Sequence, residues 1–185
     1  MKKKTIIGLI GEQASGKGAA ANIIIKKYGG TRLTISNVLR RTLDNLYVDS
    51  TRSNLIKLAI ILKKTFQNDI LINAILREAE KIESDLIIVD GIRMPGDIEP
   101  FIKEYDGSFH LIYVTAEPDI RYERSRKRAE KVGEATATYE EFLAKEQAET
   151  EKYIAKVGQK ANFKIINNGS DKELEAAILE VMAKI

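Results

Sequence analysis

The 185-residue chain has no cysteine, which excludes a disulfide framework, a thiolate metal site and a cysteine nucleophile together. A reducing cytoplasm fits this composition. Aromatic residues are 6% of the chain, too sparse for a base-stacking stripe, so the tyrosines and phenylalanines read as core and surface anchors. The one histidine, His110, begins a predicted strand, where a packed or surface role outweighs general-base catalysis. No apolar run approaches the roughly 20 residues of a membrane-spanning helix. The opening MKKKTIIGLIGE is cut by Glu12 before it reaches signal-peptide length. A soluble cytoplasmic protein with no membrane partner is expected. Positive charge is in small excess, net +3 with a pI of 8.9, which makes a nucleic-acid partner unlikely, since anionic small molecules account for it equally well.

What is present is an alternation of two periodicities. Short apolar runs rich in β-branched residues, TIIGLI (5–10), LIIVD (86–90) and FHLIYVT (109–115), predict buried strands, with FKIIN (163–167) and TRLTI (31–35) as a fourth and fifth. Helical spacing covers residues 17–27, 37–48, 52–65, 69–83, 117–131, 138–157 and 171–184. Strands alternating with helices imply right-handed crossovers, hence a three-layer α/β/α fold on a parallel five-stranded sheet. The length suits a single domain over 1–185. Residues 36–83 exceed one crossover helix and predict a small helical insert, and the Gly133-containing stretch at about 129–140 predicts a short lid.

The sequence GEQASGKG (11–18) follows a predicted strand and opens a predicted helix, the context in which GxxxxGK spacing cradles phosphates. Gly11 and Gly16 permit the turns, and the backbone around Gln13, Ala14, Ser15, Gly16, Lys17, Gly18 and Ala19 can wrap a polyphosphate at a helix N-terminus. Lys17 adds a point charge for the β and γ phosphates. The Ser or Thr that normally follows the lysine and ligates Mg²⁺ is missing, because Gly18 has no hydroxyl. Mg²⁺ often keeps several waters, so an aspartate on a neighbouring strand can hold it through that shell. Asp90, closing LIIVD, has the spacing for that role.

Arg93, in DGIR (90–93), lies three residues past Asp90 at the sheet edge where ligands of open α/β folds sit. Arg121, Arg124 and Arg128 recur at helical spacings of three and four. Phosphoryl transfer spreads negative charge over several oxygens, and arginines converging from different elements neutralise it. The acid-rich stretch 139–153 reads as a solvated helix face.

With these motifs the chain resembles the P-loop nucleoside monophosphate kinase group, adenylate kinase and its relatives including dephospho-coenzyme A kinase. SGKG is similar to the GKG form of the loop, VDGIR resembles the family's DGFPR with the proline lost, and ERSRKR is similar to the opening of the lid. ISNVLRRTL (35–43) is similar to the acceptor segment. The resemblance implies ATP and Mg²⁺ as cofactors, with Lys17, Asp90, Arg93, Arg124 and Arg128 as catalytic residues and Asp90 meeting the metal through water. It implies Ser36, Arg40, Arg52 and Arg93 at the acceptor, and Asn168 and Gly169 beside the adenine. A nucleotide is expected as the small-molecule acceptor, and a monomer or small homo-oligomer as the state of the protein.

Three departures stand out. Ala19 removes the Thr that usually follows GKG, no arginine occurs after Arg128, and the tail at 160–178 looks more like that of dephospho-coenzyme A kinase. Transfer of the ATP γ-phosphoryl to a (deoxy)nucleoside monophosphate is therefore expected, with dephospho-coenzyme A as the alternative acceptor. A nucleotide-binding module without kinase activity is a second reading, and a nucleic-acid-binding protein on the same fold a third.

Overall fold

The computed structural model describes residues 4–128, 134–147 and 151–185. Five strands, β1 (Thr5–Ile10), β2 (Thr31–Thr34), β3 (Leu86–Asp90), β4 (Phe109–Thr115) and β5 (Phe163–Ile166), form one parallel sheet in the order β2-β3-β1-β4-β5. The helices are α1 (Lys17–Tyr28), α2 (Ile35–Asn45), α3 (Arg52–Thr65), α4 (Ile70–Lys81), α5 (Glu99–Glu104), α6 (Pro118–Arg128), α7 (Tyr139–Ala144), α8 (Ile154–Gly158) and α9 (Asp171–Met182). The three-layer α/β/α architecture is thus observed as the alternation of periodicities implies.

Strand alternation sends side chains to two cores. Ile6 and Ile10 pack with Ile72 and Ile75 of α4, Phe101 of α5 and Val157 of α8. Ile7 and Leu9 pack on the other face with Ala20, Ala21 and Ile24 of α1 and Leu174 and Ile178 of α9. Burial on both faces explains why the central strands read as continuous apolar runs.

Helix starts follow local signals. Thr34, Thr51, Thr138 and Ser170 cap α2, α3, α7 and α9 by accepting a backbone N–H into their side-chain oxygens. The start of α1 is different. Its N-cap is Gly16 in the left-handed region, φ 101°, with no side-chain cap, so its first N–H groups are left for an external acceptor.

Two element predictions need correction. The continuous helix over 138–157 is broken among the described residues into α7, a 3₁₀ turn at Lys145–Gln147 and α8. Its polar, multiply acidic middle has no single apolar face to bury. The helix at 37–48 begins at Ile35, where Thr34 caps it, and ends at Asn45. The short α5 lies in a stretch without an apolar period long enough to reveal it. Residues 129–133 of the lid lie outside the described residues.

Candidate nucleotide-binding site

Parallel pairing places the site. Leu9 of β1 stands opposite Asp90 of β3, and Thr34 of β2 stands on the other side of Asp90. The carboxyl ends of three strands therefore open together beside the loop 11–18, the edge at which ligands of open α/β sheets bind. A cleft of about 590 Å³ lies there, lined by Ala14–Ala19, Asn22, Arg32, Asp90, Arg124 and Arg128. Its volume suits a nucleotide-sized ligand.

The loop is held in shape from behind. A Cβ at Gly11 would lie 2.0 Å from the Val114 carbonyl oxygen, and one at Gly16 would lie 2.2 Å from the Asn167 side-chain nitrogen. Ala14 takes φ 60°, an uncommon value for a residue with a Cβ. Lys17 Nζ donates to the carbonyls of Gly11 (2.6 Å) and Glu12 (3.1 Å). Burial pushes the Lys17 ammonium below the usual lysine pKa, an effect that Asp90 opposes and Arg93 reinforces, with Glu151 and Glu12 also opposing it. Of those residues, Asp90 shares the cleft lining with Lys17.

The arginines are organised by several elements. Arg124 donates to the carbonyls of Asn167 (2.7 Å) and Gly169 (3.0 Å), tying α6 to the loop before α9. Asn168, also placed beside the adenine by resemblance, accepts the Glu117 N–H at 2.9 Å. Arg128 pairs with the buried Glu134 at 2.8 Å, and Gln13 donates to the same Glu134 oxygen at 3.0 Å and to Ser125 at 3.2 Å. Arg93 lies 3.6 Å from Glu151. Its turn is fixed by the buried Asp97, which accepts the N–H groups of Arg93 and Met94, both at 3.0 Å, and pairs with Lys63 of α3 at 3.0 Å.

The expected acceptor residues lie apart from the cleft lining. Ser36 and the exposed Arg40 are on α2, where Arg40 donates to Asn37 at 3.2 Å, and Arg52 is the exposed first residue of α3. Sequence reasoning missed Arg32, which pairs with Asp90 inside the cleft. It also missed Asp97, Glu134 and Glu151. Of the acid-rich face, Glu146 pairs with the buried Arg121, so that stretch is only partly solvated.

Among the described residues no group of three or more His, Asp or Glu side chains could hold a metal ion. Among the described residues Asp90 is the only acid lining the cleft. This donor set fits an ion held by phosphate oxygens and water with one carboxylate behind the water.

An uncapped helix N-terminus, a GxxxxGK loop and a lysine at the mouth of a parallel sheet define a P-loop fold. The chain belongs to the AAA domain family, whose model matches residues 10–143. It is 26% identical over 178 residues to a UPF0200 protein of Methanosarcina barkeri, covering 96% of this chain and 94% of that one. A UPF0200/UPF0201 protein of Archaeoglobus fulgidus is 24% identical over 182 residues, which are 97% of this chain; the chain spans 55% of that relative's length. Among solved structures, TT1252 from Thermus thermophilus superposes with a TM-score of 0.66 at 21% identity, covering 100% of this chain and 99% of that one. Shikimate kinase from Bacteroides thetaiotaomicron superposes with a TM-score of 0.63 at 13% identity, with 97% of each chain covered. At these identities the two structures show the fold.

Proposed function

We propose that the chain is an ATP-dependent phosphotransferase that passes the γ-phosphoryl to a small phosphorylated nucleotide-type acceptor, with a (deoxy)nucleoside monophosphate favoured. The observation that carries this reading is the convergence of the uncapped α1 N-terminus, Lys17, Arg124 and Arg128 on one cleft. Backbone N–H groups of 13–18 bind the polyphosphate, and Lys17 exchanges its carbonyl partners for β and γ oxygens. Arg93 and Arg128 neutralise charge on the migrating group, while Arg124 holds the Asn168–Gly169 loop against the base. When bound, Mg²⁺ supplies further charge neutralisation at the phosphate oxygens, and Asp90 would hold one of its waters.

In this reading the insert bearing Ser36, Arg40 and Arg52 carries the acceptor, and its closure over the cleft excludes water as a competing nucleophile. Transfer needs no covalent intermediate, because in-line positioning and charge neutralisation suffice. The test is ADP formation from ATP with a panel of ribo- and deoxynucleoside monophosphates and dephospho-coenzyme A. Acceptor-dependent turnover with a monophosphate is expected; none with any acceptor overturns the reading. The pairing of Asp90 with Arg32 and the missing hydroxyl at Gly18 favour one alternative, a nucleotide-binding module without turnover. Tight ATP binding without ADP formation on any acceptor would identify it.

A further inference from the structure

Arg32 occupies a position with more chemistry than its ion pair uses. The register Arg32 to Ile88 and Thr34 to Asp90 puts Arg32 and Asp90 on the same face of the sheet. Ile88 packs on that face against α1. The guanidinium reaches over the first turn of α1, where a Cβ built on Gly18 would lie 4.0 Å from its Nη2. In P-loops that carry Ser or Thr after the lysine, that hydroxyl ligates Mg²⁺. Here that position has no side chain and a fixed positive charge lies beside it.

Two further observations indicate a missing acceptor. Arg32 Nε is buried and has no hydrogen-bond partner among the described residues. A buried guanidinium donor left unmade is costly, and the planar fork suits a phosphoryl group that can take a second bond. Among the described residues Asp90, its present partner, is the only acid in the lining that the cleft shares with Lys17, Arg32, Arg124 and Arg128, and Arg128 has Glu134 as a partner of its own. An incoming polyphosphate therefore offers Arg32 several acceptors where it now has one carboxylate.

We propose that Arg32 is a built-in cation of the triphosphate site. It contacts the β/γ end of a bound nucleoside triphosphate beside Gly18, and lets the chain bind that ligand without an added divalent cation. The proposal rests on the nucleotide-binding reading above and deepens it. Exchange of Arg32 from Asp90 to phosphate also leaves the carboxylate available to a metal's water shell.

The experiment is calorimetric titration of the full chain with ATP and AMP, in EDTA and in Mg²⁺, with folding followed by thermal denaturation. Wild type is expected to bind ATP in EDTA, and Arg32→Gln to lose about tenfold or more of that affinity. AMP affinity should change less than about threefold, since AMP lacks the oxygens Arg32 meets. Arg32→Lys should fall between wild type and Arg32→Gln, and Asp90→Asn, which releases Arg32 and removes the acid, should raise ATP affinity in EDTA. If the pair were only a strut, both substitutions would weaken binding, and that result overturns the proposal. It is equally overturned if folded Arg32→Gln binds ATP in EDTA like wild type, or if wild type binds ATP only with Mg²⁺, an outcome that leaves the nucleotide-binding reading standing. No ATP binding in either buffer overturns both. Should Arg32→Gln fail to fold, the Asp90→Asn direction decides: a fall in EDTA affinity overturns the proposal.

Discussion

The side-chain amide of Asn167 donates to the backbone carbonyl of Ser15 at 2.9 Å, fastening the end of β5 to the middle of the phosphate loop. Both residues are buried, and Gly16 leaves room for the contact because a Cβ there would overlap the amide nitrogen. Asn167→Ala should therefore cost about 1–2 kcal/mol in chemical denaturation and weaken ATP binding about tenfold. Gly16→Ala should be worse on both measures, since it combines that overlap with a φ of 101° that disfavours a side chain. An unchanged ATP affinity in either variant would show that loop shape does not govern binding.

Lys17 gives a pH signature. Because burial lowers its pKa, the apo site loses its ammonium at a lower pH than an ordinary lysine does, while a bound polyphosphate favours the charged form. ATP affinity should be full below the apo pKa and decline as pH rises through it, beginning below 10.5. Lys17→Arg should abolish this decline over the same range, because arginine stays charged. A decline confined to pH above 10.5 in wild type would contradict the burial argument.

Asp97 links the insert to Arg93 through its contacts with Lys63 and the 93–94 backbone. Asp97→Asn strands the Lys63 ammonium, whose side chain is 18% exposed. We expect a loss of about 2 kcal/mol in stability and a drop of about tenfold in kcat/KM for the acceptor, as Arg93 loses its orientation. Retained kinetics with reduced stability would make Asp97 purely structural.

Tyr113 donates its hydroxyl to the Glu12 carboxylate. Burial, with the Glu12 hydrogen bond second, pushes its pKa up to about 12. Between pH 10 and 12 the native tyrosine keeps a proton that the unfolded chain has lost, so stability falls as pH rises through this window. The loss should be roughly 2 kcal/mol in denaturant melts, and Tyr113→Phe should remove this part of the alkaline dependence.

Ala19 is an exposed part of the cleft wall. Ala19→Thr returns the hydroxyl that adenylate-kinase-like loops carry, and should raise turnover severalfold in the ADP-formation assay. Unchanged turnover would show that the loop is complete without it.

The legible parts of this site were those whose physics is local. Consecutive residues 11–18 contain both the glycines that make the turn and the N–H groups that bind anions, so spacing alone located them. Asp90 was legible for a similar reason, as an acid closing an apolar strand. Arg32 was not, because it sits on a four-residue strand whose alternation is weak, and only the parallel register with β3 brings it to an acid 58 positions away. Glu151 and Glu146 looked like solvent-facing charges for lack of any sequence signal that pairs them with Arg93 and Arg121.

The sequence by itself determined the alternating elements, the parallel sheet they imply and the phosphate loop, since strand and helix periodicity and glycine conformation act within a few residues. Tertiary structure alone decided which charges and buried polar groups meet. Asp90 with Arg32, Asp97 with Lys63 and Asn167 with Ser15 are each brought together across long stretches of chain. Such pairs form where strand order and helix packing place them, and their energies depend on a burial that no single segment creates.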